Sequence, residues 1–154
     1  VGGGSTVESA GRGIQDNPYV LNIIGVSGVK NEIMEQKKDC IVFLSARFCK
    51  TCKTINPIFT RMARLNTENV SEDDTEISFV KAEASGTLGK ELGRYLAIDA
   101  VPAFVLYRNG RRYGIPLSVS KLPSRKIDRA LNLLKSGAEW DTSYVLEKDS
   151  SSSS

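Results

Sequence analysis

Short apolar blocks recur along this chain, and two spacings run through them. Tyr19 to Ile24 reads as a first strand. Cys40 to Ala46 is almost wholly apolar, the pattern of a strand buried in the centre of a sheet. Ile77 to Ala82 and Ala103 to Tyr107 are two further strands. Arg112 to Ile115 pairs with the last of these across an Asn109-Gly110 hairpin turn. Between the strands the spacing becomes helical. Val29, Ile33 and Met34 predict a helix over Ser27 to Lys38, with Ser27 as its N-cap. Ile55, Ile58, Phe59 and Met62 fall at i, i+3, i+4 and i+7, which marks one buried helical face. Pro57 interrupts that helix, removes a backbone donor and predicts a kink. Leu88, Leu92, Tyr95 and Leu96 form a shorter stripe. Ser124 caps a last helix with Ile127, Ala130, Leu131 and Leu134 inward. The order β-α-β-α-β-α-β-β-α predicts an α/β fold, a mixed central sheet flanked by helices. No internal repeat is visible.

Polar stretches set the boundaries. Residues 1–17 are rich in Gly and Ser, lack apolar periodicity and predict a flexible N-terminal tail. The domain is expected over 18–136 and a C-terminal extension over 137–154, ending in the polar run Asp149 to Ser154. Trp140, in that extension, is expected to dock on the domain surface. Asn66 to Glu76 is polar and acidic and reads as a loop, with Glu72-Asp73-Asp74 a solvated connection.

Composition narrows the chemistry. At 154 residues the chain is one domain, long enough to bury a core without structural disulfides. Its net charge of +3 is spread without a basic stripe, so nucleic acid is not expected as a partner. No apolar stretch reaches membrane-spanning length, so no membrane partner is expected either. A monomer is expected. The three cysteines are an odd number, which argues against a secreted disulfide framework and for a reducing compartment. The chain has no histidine. A Cys-His protease, a Ser-His-Asp hydrolase and a His-ligated metal centre are therefore excluded.

What remains is Cys49-Lys50-Thr51-Cys52, just after the central apolar strand and just before a helix. On a helix N-terminus this spacing exposes the first sulfur and sets the second one turn behind. The two can close a small disulfide without moving the fold. The alternatives are half of a zinc or iron-sulfur site and a redox-silent pair on an adaptor. For metal, the pair supplies two of four ligands, so the site residues include no metal set and no cofactor is expected. Cys40 reads as a small buried hydrophobe, with a regulatory thiol as the alternative. Far downstream, Val101-Pro102 opens another strand.

Strand-CxxC-helix followed by a strand-opening proline resembles the thioredoxin family over roughly Tyr19 to Leu134. The resemblance implies a thioredoxin fold and thiol-disulfide exchange, with Cys49 attacking and Cys52 resolving. Pro57 matches the family's helix-kinking proline. Pro102 matches its cis-proline, which lets the backbone of Val101 pair with an extended substrate segment; an ordinary trans proline is the alternative. Lys81 matches a family lysine near the active site, with a strand-end surface charge as the alternative. The implied partners are disulfide-containing target proteins and a reductase or dithiol electron donor. The runner-up is an interaction module that binds an extended partner near Pro102 without redox chemistry. Divergent CxxC members resemble plastid proteins, so chloroplast stroma is the expected location, and the start of the sequence fits a lost transit peptide. Cytosol is the alternative.

The sequence also departs from the family pattern. Phe48 stands where the family has Trp, and Lys50-Thr51 replaces Gly-Pro. Phe43 falls at the family's buried aspartate, Ser45 at a tryptophan, and Ser118 near a late glycine. A helix N-terminus and the Lys50 cation both favour a Cys49 thiolate, and a stabilised thiolate makes the disulfide more oxidising. Cys52 is expected to be more buried, and Phe43 cannot accept its proton, so resolution is expected to be slow.

Overall fold

The computed structural model describes residues 11–73 and 75–148. A central sheet is built from β1 (Val20–Ile23), β2 (Cys40–Ser45), β3 (Ser78–Glu83), β4 (Ala103–Arg108) and β5 (Arg111–Ser118). Its strands lie in the order β1-β3-β2-β4-β5. β1 and β2 run parallel to β3, while β4 is antiparallel to both β2 and β5. The helices are α1 (Gly25–Val29), α2 (Lys50–Glu68), α3 (Gly86–Leu96), α4 (Arg125–Ser136) and the short α5 (Thr142–Val145). No described helix is long and apolar enough to cross a membrane.

Every residue of β2 is buried, because helices cover both faces of the sheet. Successive side chains of a strand point to opposite faces. Ile41 and Phe43 thus join one core with Ile55, Phe59 and Ala63 of α2 and with Ile127, Ala130, Leu131 and Leu134 of α4. Cys40, Val42 and Leu44 join the other, with Val29, Ile33, Leu92 and Leu96. The hairpin at Asn109-Gly110 has positive φ at both residues, 52° and 78°, as a tight turn between twisted strands requires.

Several boundaries differ from the periodicity. Ser27 lies inside α1 and does not cap it. The helix starts at Gly25, with Ile24 at the N-cap position and no side-chain cap. Gly25 adopts φ 65°, which turns the chain out of β1 directly into helix. The rest of the predicted helix winds as a π-helix over Lys30–Met34. Pro57 lies within α2, where it leaves the Lys53 carbonyl without its usual donor. That helix runs on to Glu68, into the predicted loop. Its polar last turns bond back to backbone: the Asn66 amide donates to the Ile77 carbonyl at 3.0 Å, and the Thr67 hydroxyl to the Ala63 carbonyl at 3.0 Å.

Leu88 and Tyr95 are exposed, at 55% and 42%. The inner face of α3 is instead Gly89, Leu92, Gly93 and Leu96. At Gly89 the helix approaches so near that a Cβ would lie 2.5 Å from the Ala84 carbonyl carbon. Hydrophobic periodicity cannot register a contact made by a missing side chain. Ser124 does hold the N-cap position of α4, without a side-chain hydrogen bond.

The predicted tails split. Residues 1–10 and 149–154 lie outside the described residues, as does Asp74. Arg12 bridges antiparallel to Ile23, and the Gln15 side chain bonds both the N–H and the carbonyl of Asn22, so the end of the N-terminal segment is hydrogen-bonded along β1. The C-terminal extension packs back as far as α5, where Val145 is fully buried. Trp140 docks as its sequence context suggested, edge-on to Tyr113 at 5.4 Å between ring centroids.

Candidate active site

The C-terminal ends of β1, β2 and β3 and the start of β4 share one end of the sheet. The chain leaves β2 at Ser45, turns through Ala46–Phe48 and enters α2 with Cys49 at the N-cap. The backbone N–H of Cys52 donates to Cys49 Sγ at 3.1 Å, so sulfur takes the place of the usual capping oxygen. The two sulfurs lie at disulfide distance, with Cα atoms 5.2 Å apart. Cys52 is buried in the α2–α4 core at 2% exposure, and Cys49 packs at its margin. The spacing thus does what was expected of it: one sulfur at the rim, one behind. Of the intervening pair, Lys50 is exposed and Thr51 half-buried, and Phe48 is 86% exposed.

The turn before Cys49 is tied to β3 by a residue that sequence reasoning did not single out. Glu83 Oε2 accepts the Arg47 backbone N–H at 2.7 Å and also the Ser85 hydroxyl. The Ala84 N–H reaches across to the Ser45 carbonyl at 2.7 Å. Only the parallel register, which sets Ser45 beside Glu83, makes this acid part of the site.

The Val101-Pro102 bond is cis and Pro102 is buried. Leu44 pairs with Ala103, so the antiparallel register sets Pro102 level with Ser45 at the end of β2 and carries Val101 beside the turn that leads to Cys49. Val101 takes part in none of the ladder pairs.

Beneath the thiols, Phe43 is fully buried. It stacks on Phe104 at 5.1 Å and tilts against Phe59 at 5.2 Å. Lys81 lies directly opposite Phe43 in the register, and its Nζ donates to Asn56 Oδ1 at 2.8 Å. Lys81 is therefore no free strand-end charge. Asn56 follows Cys52 by one helical turn, and it was not visible as a partner in the sequence. Among the described residues no Asp or Glu is buried, so no buried carboxylate stands behind Cys52. Cys40 is fully buried in the other core, and burial pushes its thiol up to about 12. Among the described residues no three potential metal ligands of the His, Cys, Asp or Glu type gather.

A family model for thioredoxin matches residues 24–128, well over half of the chain. The chain belongs to the thioredoxin family. It is 34% identical over 70 residues to a Dictyostelium discoideum protein named as thioredoxin-5, a match covering 46% of this chain and 59% of that one. To rice thioredoxin H2-1 it is 26% identical over 98 residues, covering 64% and 62%. The chain thus spans about three-fifths of the length of the curated relatives it matches. Among solved structures, spinach chloroplast thioredoxin f superposes with a TM-score of 0.57 at 17% identity, covering 79% of this chain and 96% of that one. Chlamydomonas reinhardtii thioredoxin f2 does so at 0.53 and 25% identity, covering 75% and 90%. The fold is the thioredoxin fold, as the resemblance implied.

Proposed function

We propose that this protein is a thiol-disulfide oxidoreductase acting on protein disulfides through Cys49 and Cys52. The observation that carries the reading is the sulfur pair at disulfide distance on the N-terminus of α2. Family membership supports it, since thioredoxins are disulfide oxidoreductases.

The Cys49 thiolate attacks one sulfur of the target. The target S–S bond breaks, a Cys49–target S–S bond forms, and the other target sulfur leaves as a thiolate that takes a proton. Cys52, once deprotonated, attacks Cys49 Sγ and releases the second target thiolate. The target gains two electrons and the Cys49/Cys52 pair loses two, which an external dithiol must restore. The charge on Cys49 is favoured by the positive end of the α2 dipole and by the Cys52 N–H aimed at its sulfur. Lys50 adds a nearby cation and Thr51 spaces the two sulfurs. With Phe43 in place of an acid, the Cys52 proton passes to water or to the departing target thiolate. Lys81, whose ammonium donates to Asn56, supplies no base there. Phe48 and the backbone of Val101, ahead of Pro102, form the surface that meets an extended target segment.

The electron donor is a reductase or another dithiol protein. Thioredoxin f2 is known in complex with ferredoxin:thioredoxin reductase, and likeness to thioredoxin f is also the support for a plastid location, with cytosol as the alternative. Redox titration against dithiothreitol, read by mass after alkylation, tests the function. One reversible two-electron transition at Cys49/Cys52 is expected. The lack of a reversible disulfide would leave an interaction module instead.

A further inference from the structure

Beside the redox pair, on the α3 side, lies a groove of about 460 Å³ lined by Ala46, Ile98, Val101, Lys90 and Arg94. It opens at Val101, where the proposed target backbone would pair. Its floor is apolar and its two basic side chains are exposed. Lys90 and Arg94 stand four residues apart on one face of α3. Like charges at that spacing repel, and weaken a helix slightly. Among the described residues neither Lys90 nor Arg94 takes part in an ion pair.

Three more exposed cations, Arg47, Lys50 and Lys53, flank Cys49 along the chain, on the preceding turn and the first turn of α2. The positive end of α2 points the same way. The acids of this end are fewer. Glu83 is engaged by the Arg47 N–H and by Ser85. Asp99 also lines the groove and offsets part of its charge. Glu91, on the same helix, does not line it.

We propose that this groove selects target disulfides flanked by acidic side chains. An extended segment paired along Val101 runs into the groove, with an apolar residue over Ile98 and an Asp or Glu within reach of Lys90 and Arg94. The inference rests on the exchange reading above and names the class of target for the same site. Complementary charge acts mainly on the rate of encounter, so its effect falls as salt rises.

Single-turnover oxidation of the reduced protein tests it, with three probes followed by acid quench and mass. Two are disulfide peptides identical except for Asp or Lys on either side of one cysteine. The third is the neutral bis(2-hydroxyethyl) disulfide. At low ionic strength the wild type is expected to oxidise with the Asp peptide about tenfold faster than with the Lys peptide. In Lys90→Glu/Arg94→Glu this ratio is expected to fall to near one or below, and in Lys90→Gln/Arg94→Gln to an intermediate value. A ratio taken within one protein is insensitive to partial loss of folded material. A wild-type ratio near one, with the neutral disulfide still reduced, overturns the inference and leaves the exchange reading intact. An acid preference that survives the charge reversal also overturns it, and assigns the selection to Arg47, Lys50 or Lys53. No reaction with any probe overturns the exchange reading and this inference with it.

Discussion

Cys40 opens β2 and Cys49 follows its end, so a single strand separates two thiols in opposite surroundings. Cys40 faces the α1–α3 core, opposite Tyr107, with no exposed surface. Burial in apolar side chains penalises the thiolate, and the thiol is pushed up to about 12. Cys49 sits at the mouth of a helix, with a backbone N–H directed at its sulfur. The contrast teaches that the surroundings, and not the residue type, set which form of a thiol is favoured. Along β2 a thiol is packing material, whereas a helix terminus a few residues later favours the charged form.

The contrast is broken most completely by taking away the partner sulfur. Cys52→Ser should leave Cys49 able to attack but unable to release its target. Turnover should fall to background, and mixed disulfides should accumulate as adducts visible by mass. A Cys52→Ser protein that turns over normally would exclude the two-thiol mechanism.

Phe43→Asp brings an acid behind Cys52 and a charge into an apolar core. The cost should be several kcal/mol, on the order of 3–5, moderated if Lys81, opposite in the register, turns toward the new carboxylate. The resolving step should become faster at neutral pH, because Cys52 gains a proton acceptor. Stopped-flow reduction of a small disulfide beside a denaturation curve reads both halves. An unchanged resolving rate in a folded variant would show that the missing base is not limiting.

Cys40 can be seen through alkaline stability. Its folded thiol ionises near 12 and an exposed one near 9.0. Between those values the unfolded chain has lost its proton and the folded chain has kept it. Stability is therefore intact below pH 9 and falls as pH rises, by ~1.4 kcal/mol per pH unit from this group. Tyr107, also raised by burial from 10.0 to about 12, adds to the loss above pH 10. Urea denaturation of the wild type and Cys40→Ala at pH 8 and 10 measures it. The variant should lose less, and equal slopes would refute the assignment to Cys40.

The smallest effect is expected at the dipeptide. Lys50→Gly/Thr51→Pro removes the cation beside Cys49 and should shift the disulfide potential by about 30 mV toward the more reducing side, equivalent to about 1.4 kcal/mol. Titration against glutathione decides it. A shift in the oxidising direction would show that Lys50 does not stabilise the thiolate.

The order of strands and helices was legible because each element carries its own period. Cys49 and Cys52 stood out in the sequence by their spacing just before a helical pattern, and Pro102 through the resemblance to the thioredoxin family. Boundaries were less so wherever a contact is made by backbone or by a short side chain. Ser27 reads as a cap, yet Gly25 starts the helix by turning at positive φ. Leu88 reads as core, yet α3 meets the chain at Ala84 through Gly89.

By itself, then, the sequence determined the α/β order, the burial of β2 on both faces, the thiol pair on a helix start and the absence of any histidine chemistry. The tertiary structure alone decided which distant residues became neighbours. It brought Glu83 to the turn before Cys49, Asn56 to Lys81, and Lys90 and Arg94 to the groove at Val101. Periodicity is a property of a few consecutive residues. Strand order and register join positions tens of residues apart, and only the packed sheet specifies them.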